Sequence, residues 1–381
     1  MPPLYLLIKP ASSNCNMHCD YCFYCDEAKK REQYSYGYME ADTAENMVKK
    51  ALEEAEGQCT FAFQGGEPTL AGLPFFQHFV SAVEQYNKKG LPVSYAIQTN
   101  GFDLAEEWFP FLKKHKFLVG VSLDGPKSCQ DMHRHGPGGA STFQRVWSTI
   151  RKLKKYGIEF NVLTVLNGSN APKIGEIYRF LTEKEIWYQQ YIPCLDPLGE
   201  DKGKEGYSLS ADQLGEALKE LFDLWYEDLI HGKYVYIRQF ENWVGILKGF
   251  VPESCNMCGR CSVQTVVEAN GDVYPCDFYV VDRYRIGNVN TDSFADMRNS
   301  DTAREYLEPS LETDEACKDC KWYPLCRGGC RRERDYGEEK LRMNCFCGAY
   351  PVSYTHLDVY KRQVHPGNTG RWYRCEAYWN W

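Results

Sequence analysis

Three cysteines carry the sharpest chemical signal in this chain. Cys15, Cys19 and Cys22 stand at C-x3-C-x2-C spacing in S-S-N-C-N-M-H-C-D-Y-C-F-Y, just after the apolar run Leu4–Ile8. Three thiolates on one short loop can hold three irons of a [4Fe–4S] cluster, which ordinarily takes four cysteines. The missing ligand leaves one iron open to a substrate or cofactor. A zinc knuckle or three core thiols are the alternatives. A structural zinc site wants four protein ligands, and no fourth follows at zinc-finger spacing.

A second group lies far downstream. Nine cysteines fall between Cys255 and Cys345, and a tenth is Cys347. Cys261, Gly271 and Cys276 follow C-x9-G-x4-C, and Cys317, Cys320, Cys326 and Cys330 follow C-x2-C-x5-C-x3-C. Zinc ribbons also use C-x2-C pairs, so the residues alone leave zinc open here. Asp277 directly follows Cys276. A desolvated carboxylate there can take a proton from a thiol or hydroxyl, or it can tie a hairpin.

Other residues sit where loops follow apolar runs. Gln64-Gly65-Gly66-Glu67-Pro68 offers two glycines for close backbone approach and a carboxylate for an ammonium group, or a plain turn. Ser122 and Asp124, expected at the rim of a strand end, suit two ribose hydroxyls or ordinary turn chemistry. Arg134 can reach a cofactor carboxylate or a surface partner. Leu195 can pack on a flat base or close the core, and Tyr24 can shape a substrate cavity or pack inside.

These loops need a frame. Apolar runs at Leu4–Ile8, Cys59–Phe63, Val93–Ile97, Leu118–Leu123, Phe160–Leu166 and Tyr188–Ile192 alternate with amphipathic stretches. In one of those, Ala44, Met47, Val48, Ala51, Leu52 and Ala55 share one helical face. Six strand–helix units predict a parallel α/β sheet, too few for a closed eight-fold barrel. A partial (β/α)6 TIM-like barrel is therefore expected, with reactive loops after the strands. Further helices are expected over Pro74–Asn87, Ala105–Lys114, Thr142–Tyr156, Pro172–Glu183, Ala211–His231 and Phe240–Lys248, with a strand at Tyr234–Ile237. Asn270-Gly271 between Val263–Val267 and Val273–Pro275 predicts a hairpin with positive φ at both turn residues. The expected division is a core over 1–235, a cysteine-rich domain over 236–350 and a tail over 351–381. Pro351–Gln363 shows no helical period and resembles translated adapter sequence, so no function is read after Tyr350; a genuine polar, aromatic tail is the alternative.

Bulk properties narrow the class. The net charge of −8 at pH 7 gives no reason to expect nucleic acid or an anionic membrane. The chain has 18 cysteines yet opens with no signal-peptide pattern, which argues for metal or cluster ligation in a reducing cytoplasm. No apolar stretch reaches the length of a membrane span.

Taken together, the motifs resemble the radical S-adenosylmethionine enzymes, whose cluster loop has this spacing with an aromatic, here Tyr21, before the last cysteine. The downstream cysteines resemble the SPASM auxiliary-cluster domain. The strings K-P-A-S-S-x-C-N-M-x-C-x-Y-C-F-Y (Lys9–Tyr24), F-A-F-Q-G-G-E-P-T-L-A-G-L (Phe61–Leu73), C-L-D-P-L (Cys194–Leu198) and Y-P-C-D-F-Y (Tyr274–Tyr279) are most similar to the anaerobic sulfatase-maturating enzymes.

The resemblance implies three [4Fe–4S] clusters and S-adenosylmethionine. The first cluster sits on Cys15, Cys19 and Cys22. A second takes Cys255, Cys261, Cys276 and Cys330, and a third Cys317, Cys320, Cys326 and Cys347, with Cys345 the alternative for the last position. Tyr21, Gln64, Gly65, Gly66, Glu67, Ser122, Asp124, Arg134 and Leu195 are implied cofactor contacts, Asp277 the catalytic base and Tyr24 a substrate contact. The implied reaction oxidises a cysteine or serine of a sulfatase, in a C/S-x-P/A-x-R type motif, to Cα-formylglycine. Electrons would come from a donor such as flavodoxin or ferredoxin. Another SPASM peptide maturase, such as a thioether-crosslinking enzyme, is the second reading. A non-enzymatic iron–sulfur electron carrier is the third, and it leaves Gly65–Glu67 unexplained.

Overall fold

The computed structural model describes residues 3–336, 343–351, 353 and 354. The six apolar runs form six strands: β1 Leu4–Ile8, β2 Cys59–Phe63, β3 Val93–Thr99, β4 Leu118–Ser122, β5 Phe160–Leu166 and β6 Tyr188–Pro193. They pair in parallel in chain order. Helices cross back between them, giving the partial barrel. Parallel strands covered by helices must be apolar on both faces, so they read as near-continuous hydrophobic runs.

Helix α1 is Phe23–Lys29, and α2 spans Ala41–Glu54. The inner face of α2 buries Ala44, Met47, Val48, Ala51 and Leu52 in the same core as Phe61, Phe63 and Phe76. Full burial of each large side chain contributes about 1.5–3 kcal/mol. The helix Ala211–Ile230 starts on a capping box in which Ser210 and Gln213 exchange side-chain and backbone bonds. The helix expected over Ala105–Lys114 is shorter, Trp108–Lys114. Among the described residues no helix is long and apolar enough to cross a membrane.

The sheet does not stop at six strands. β7 (Tyr236–Ile237) joins β6 in parallel at one edge. At the other edge the cysteine-rich region adds β8 (Val266–Val267) in parallel to β1, with Leu7 opposite Val266 and Ile8 opposite Val267. β9 (Asp272–Tyr274) and β10 (Gly287–Asn288) follow antiparallel. The β8–β9 turn differs from expectation. Only Gly271 has positive φ, at 87°. Gly271 N–H donates to the Glu268 carbonyl at 2.9 Å and Glu268 N–H to Asp272 at 2.8 Å. This is a three-residue loop with its glycine in the left-handed position.

Near the end of the described chain, Tyr354 is 2% exposed. Its ring packs on Trp243, Trp322 and Tyr350, with centroids 4.9, 5.8 and 6.0 Å away. Tyr350 and Tyr354 are one helical turn apart, and of the stretch 351–363 only residues 351, 353 and 354 are described. Residues 355–381 lie outside the described residues.

Candidate active site

The cluster loop and the Gly-Gly turn are built as one object at the ends of neighbouring strands β1 and β2. Gln64 N–H donates to Ile8, Gly66 N–H to Ser12 and Glu67 N–H to Asn14, at 2.9, 2.9 and 2.8 Å. The glycines are required. Gly65 has φ of 115°, and a Cβ on Gly66 would lie 2.1 Å from the Asn14 carbonyl oxygen. The loop is zipped on its other side, where His18–Cys19 pairs antiparallel with Arg134–His135.

Donors converge on its thiols. Cys15 Sγ accepts from Met17 N–H at 3.4 Å and Asn100 Nδ2 at 3.5 Å, and Arg134 Nη1 lies 3.8 Å from Cys19 Sγ. Such donors stabilise thiolates. Burial nonetheless pushes the unliganded Cys15 thiol up to about 12, so iron binding must displace a proton. Three thiols on one loop, with cation and amide donors around them, fit a [4Fe–4S] group with one open iron.

The cofactor residues expected from sequence are tied into the protein's own hydrogen bonds. Asp124 follows the end of β4 and is fully buried. Its carboxylate accepts from the Tyr21 hydroxyl, from Arg134 Nε and Nη2 at 2.9 and 3.2 Å, and from Val165 N–H at 3.0 Å. Arg134 is likewise buried, so it serves no surface partner. The physical reason is that α3 (Lys127–His133) brings the chain back over the strand end and seats the guanidinium on Asp124. Ser122 is half-buried and accepts from Gln98 Nε2 at 3.2 Å. Glu67 is buried and already accepts from Thr69 and Thr99 hydroxyls at 2.6 and 2.8 Å and from Asn100 N–H at 2.7 Å. Leu195 lines a cavity of about 150 Å³ together with Cys194, Asp196, Lys202 and Cys345.

Asp277 arrives from the other side. The β8–β1 pairing carries it opposite the cluster loop, where Oδ2 accepts from Tyr24 OH at 2.6 Å and from Gln64 Nε2 at 2.7 Å. Oδ1 has no partner among the described residues. Burial raises its carboxyl above the ordinary range, and the Lys9 ammonium and the two hydrogen bonds offset part of that rise.

Lys9, missed in the sequence, is 2% exposed. Its Nζ lies 4.8 Å over the Tyr24 ring, 3.3 Å from Glu268 and 3.9 Å from Glu27. Arg31 pairs with Glu268 at 2.7 Å. The one available signal was a charged residue at the end of an apolar strand. Tyr24, Gln64 and Asp277, singled out separately, thus meet at one point.

The downstream thiols sort into two groups. Cys276 is buried with Cys261 and Cys255 as its thiol neighbours, and Cys330 neighbours Cys276 and Cys255. Cys326 neighbours Cys347 and Cys317, while Cys347 neighbours Cys317 and Cys320. Cys345 instead faces Glu333, Lys202, Asp196 and Arg332. Cys258 lies between Cys255 and Cys261 in the chain and neighbours Cys255, and its thiol points at the carbonyls of Ser254 and Pro252. Cys59 and Cys194 are buried among apolar neighbours. These two sets of neighbouring thiols have the donor chemistry that iron–sulfur clusters need.

A partial barrel with a three-thiol loop, joined to a region with two four-thiol groups, defines a radical S-adenosylmethionine enzyme with an auxiliary iron–sulfur domain. Comparison agrees. The Radical SAM superfamily model matches residues 10–181, and the iron–sulfur cluster-binding SPASM model matches residues 249–321. A cysteine-type anaerobic sulfatase-maturating enzyme of Clostridium perfringens (strain 13 / Type A) is 46% identical over 97% of this chain and 99% of its own length. A serine-type enzyme of Bacteroides thetaiotaomicron is 30% identical over 94% and 90%. The solved structure of anSMEcpe with AdoMet and the Cp18Cys peptide bound superposes with a TM-score of 0.91, at 44% identity over 95% of this chain and 99% of that one. The chain belongs to the anaerobic sulfatase-maturating enzymes.

Proposed function

We propose that this chain, an oxidoreductase that generates formylglycine, acts on one cysteine of a sulfatase polypeptide in a C-x-P/A-x-R type motif. The observation that carries the reading is the meeting of Tyr24, Gln64 and Asp277 beside the cluster loop. Cysteine is preferred to serine because the cysteine-type relative is the more similar one.

The bound groups supply the hard chemistry: a reduced cluster, S-adenosylmethionine as source of a 5′-deoxyadenosyl radical, and auxiliary clusters as electron sink. Cys15, Cys19 and Cys22 hold the first cluster. Cys255, Cys261, Cys276 and Cys330 hold the second, and Cys317, Cys320, Cys326 and Cys347 the third. Gly65 and Gly66 let the cofactor approach backbone, and Ser122, Arg134 and Leu195 lie along the same end of the barrel. Glu67, whose oxygens are occupied by Thr69, Thr99 and Asn100, holds that backbone in place. Asp277 accepts the substrate thiol proton at Oδ1, the oxygen without a partner among the described residues. Tyr24 and Gln64 fix its other oxygen, so the free lone pairs point one way. A flavodoxin or ferredoxin supplies electrons, and the setting is a reducing cytoplasm.

The test is anaerobic. Reconstituted, dithionite-reduced protein is mixed with S-adenosylmethionine and a peptide carrying C-T-P-S-R, and read by mass spectrometry. The expected result is the mass loss of thiol-to-aldehyde conversion together with 5′-deoxyadenosine. Cofactor cleavage without that peptide change moves the substrate to another peptide class. No cleavage, in protein that holds its iron, overturns the enzyme reading.

A further inference from the structure

One of the two four-thiol groups sits against an unusual buried cation. Arg331 directly follows Cys330 and is 5% exposed. Its guanidinium carbon lies 4.6, 5.0 and 5.4 Å from the ring centroids of Tyr306, Tyr279 and Tyr284. The three rings stand at 66–89° to one another, with centroids 5.4–5.5 Å apart, and form a box. Among the described residues the donors of Arg331 reach neutral acceptors, the Tyr306 carbonyl and, at 3.0 Å, the Tyr284 hydroxyl. Its Nε has no partner among the described residues. Cation–π attraction to three ring faces replaces the direct carboxylate that a buried arginine normally needs. Asp335, whose carboxylate accepts from the Tyr279 hydroxyl at 2.8 Å, acts on Arg331 through space without a direct hydrogen bond among the described residues.

The box opens onto the thiols. Cys276 packs in one cluster with the three tyrosines, and Cys261 packs against it. The Tyr306 hydroxyl lies 3.7 Å from Cys261 Sγ. Carboxylates stand near both groups, Glu333 beside Cys330 and Cys326, and Asp314 beside Cys317 and Cys347, where Arg334 offsets it at Cys317; the tyrosine box adjoins the first group. Charge and hydrogen bonds to sulfur are the main levers on cluster potential. A four-thiolate cluster gains one negative charge on reduction, and an incompletely neutralised neighbouring cation favours that state.

We propose that Arg331, held by its tyrosine box, and the Tyr306 hydroxyl raise the potential of the cluster on Cys255, Cys261, Cys276 and Cys330, against whose thiols the box packs, and so favour its taking the substrate electron. This rests on the ligand sets proposed above. The electron count is closed. The CH2–SH of the substrate becomes CH=S by giving a hydrogen atom to the deoxyadenosyl radical, a proton to Asp277 and one electron to the oxidised cluster. Arg331 and Tyr306 are positioning residues, since neither touches substrate.

The experiment is an anaerobic potentiometric titration followed by electron paramagnetic resonance, on unmodified holoprotein, Tyr306→Phe, Arg331→Met and Arg331→Lys. Tyr306→Phe and Arg331→Met are expected to lower the midpoint of one auxiliary centre and leave the S-adenosylmethionine-cleaving centre unmoved. Arg331→Lys, which keeps the charge, should restore most of the shift. The ratio of 5′-deoxyadenosine to aldehyde should rise in step with the lowered potential. Tyr306→Phe with full iron and unshifted midpoints overturns the proposal, as does an equal shift of every centre. If Arg331→Met fails to hold iron, Tyr306→Phe decides alone. Iron short of three clusters in the unmodified protein would sink the ligand reading instead.

Discussion

Two buried aspartates face the cluster loop from opposite regions, one from the barrel and one from the cysteine-rich region. Asp124 is bonded on both oxygens, and a guanidinium lies directly on it. Asp277 takes two neutral donors on one oxygen and keeps the other without a partner among the described residues. Both are hidden from water, yet they serve different ends. A carboxylate whose oxygens are both taken up by a guanidinium and neighbouring donors is a strut, with no lone pair left for a substrate proton. A carboxylate held by neutral groups, with its counter-charge one ring away on Lys9, sits at a raised pKa with a lone pair to use.

The difference is most exposed by making the same change at both places. Asp277→Asn keeps shape and hydrogen bonding but removes the base. Aldehyde formation is expected to fall by about 10²–10⁴-fold, the usual weight of a positioned general base. Cleavage of S-adenosylmethionine should continue, and thermal stability should hold or rise slightly, because a desolvated charge is gone. Asp124→Asn leaves Arg134 buried without its partner, which costs about 3–5 kcal/mol. Denaturant unfolding and iron content should both drop in that variant. If Asp277→Asn unfolds like Asp124→Asn, both residues are struts, and another group is the base.

Much of this was legible in the residues. The six barrel strands read as apolar runs because both faces are covered, and the Cys15–Cys22 loop and the Gly65–Gly66 turn read as chemistry because their spacing has few other uses. What could not be read were contacts made by short, distant elements. β8 is two residues long and carries no periodic signal, yet its pairing with β1 brings Asp277 to Tyr24. The burial of Asp124 could not be read because nothing local shows that Arg134 returns to cover it. Lys9 stands in no pattern of its own, and only the fold shows that it is buried beside Glu268 and Glu27. The tyrosine box is assembled from Tyr279, Tyr284, Tyr306 and Arg331, which share no local pattern.

The smallest expected effect concerns what balances Asp277. Burial pushes the Glu27 carboxyl from its ordinary 4.5 up to about 8, with Lys9 and Arg31 pulling it down and Asp277 pushing it further up. Near pH 7 Glu27 therefore carries its proton. Lys9 and Arg31 then outnumber Glu268 by one positive charge, which is the counter-charge available to ionised Asp277. Between pH 4.5 and 8 the folded state holds a proton on Glu27 that the unfolded state releases, so unfolding free energy must fall as pH rises through that window. Glu27→Gln fixes the neutral form. Its thermal midpoint should decline less than that of the unmodified protein between pH 5 and 8, and the gap should widen upward by roughly a few degrees. Aldehyde formation by the variant should also persist at higher pH, since Glu27 no longer ionises to cancel the counter-charge of Asp277. If the two midpoints instead fall in parallel, Glu27 is ionised throughout. Lys9 and Arg31 are then fully spent on Glu27 and Glu268, and Asp277 must hold its charge on Tyr24 and Gln64 alone.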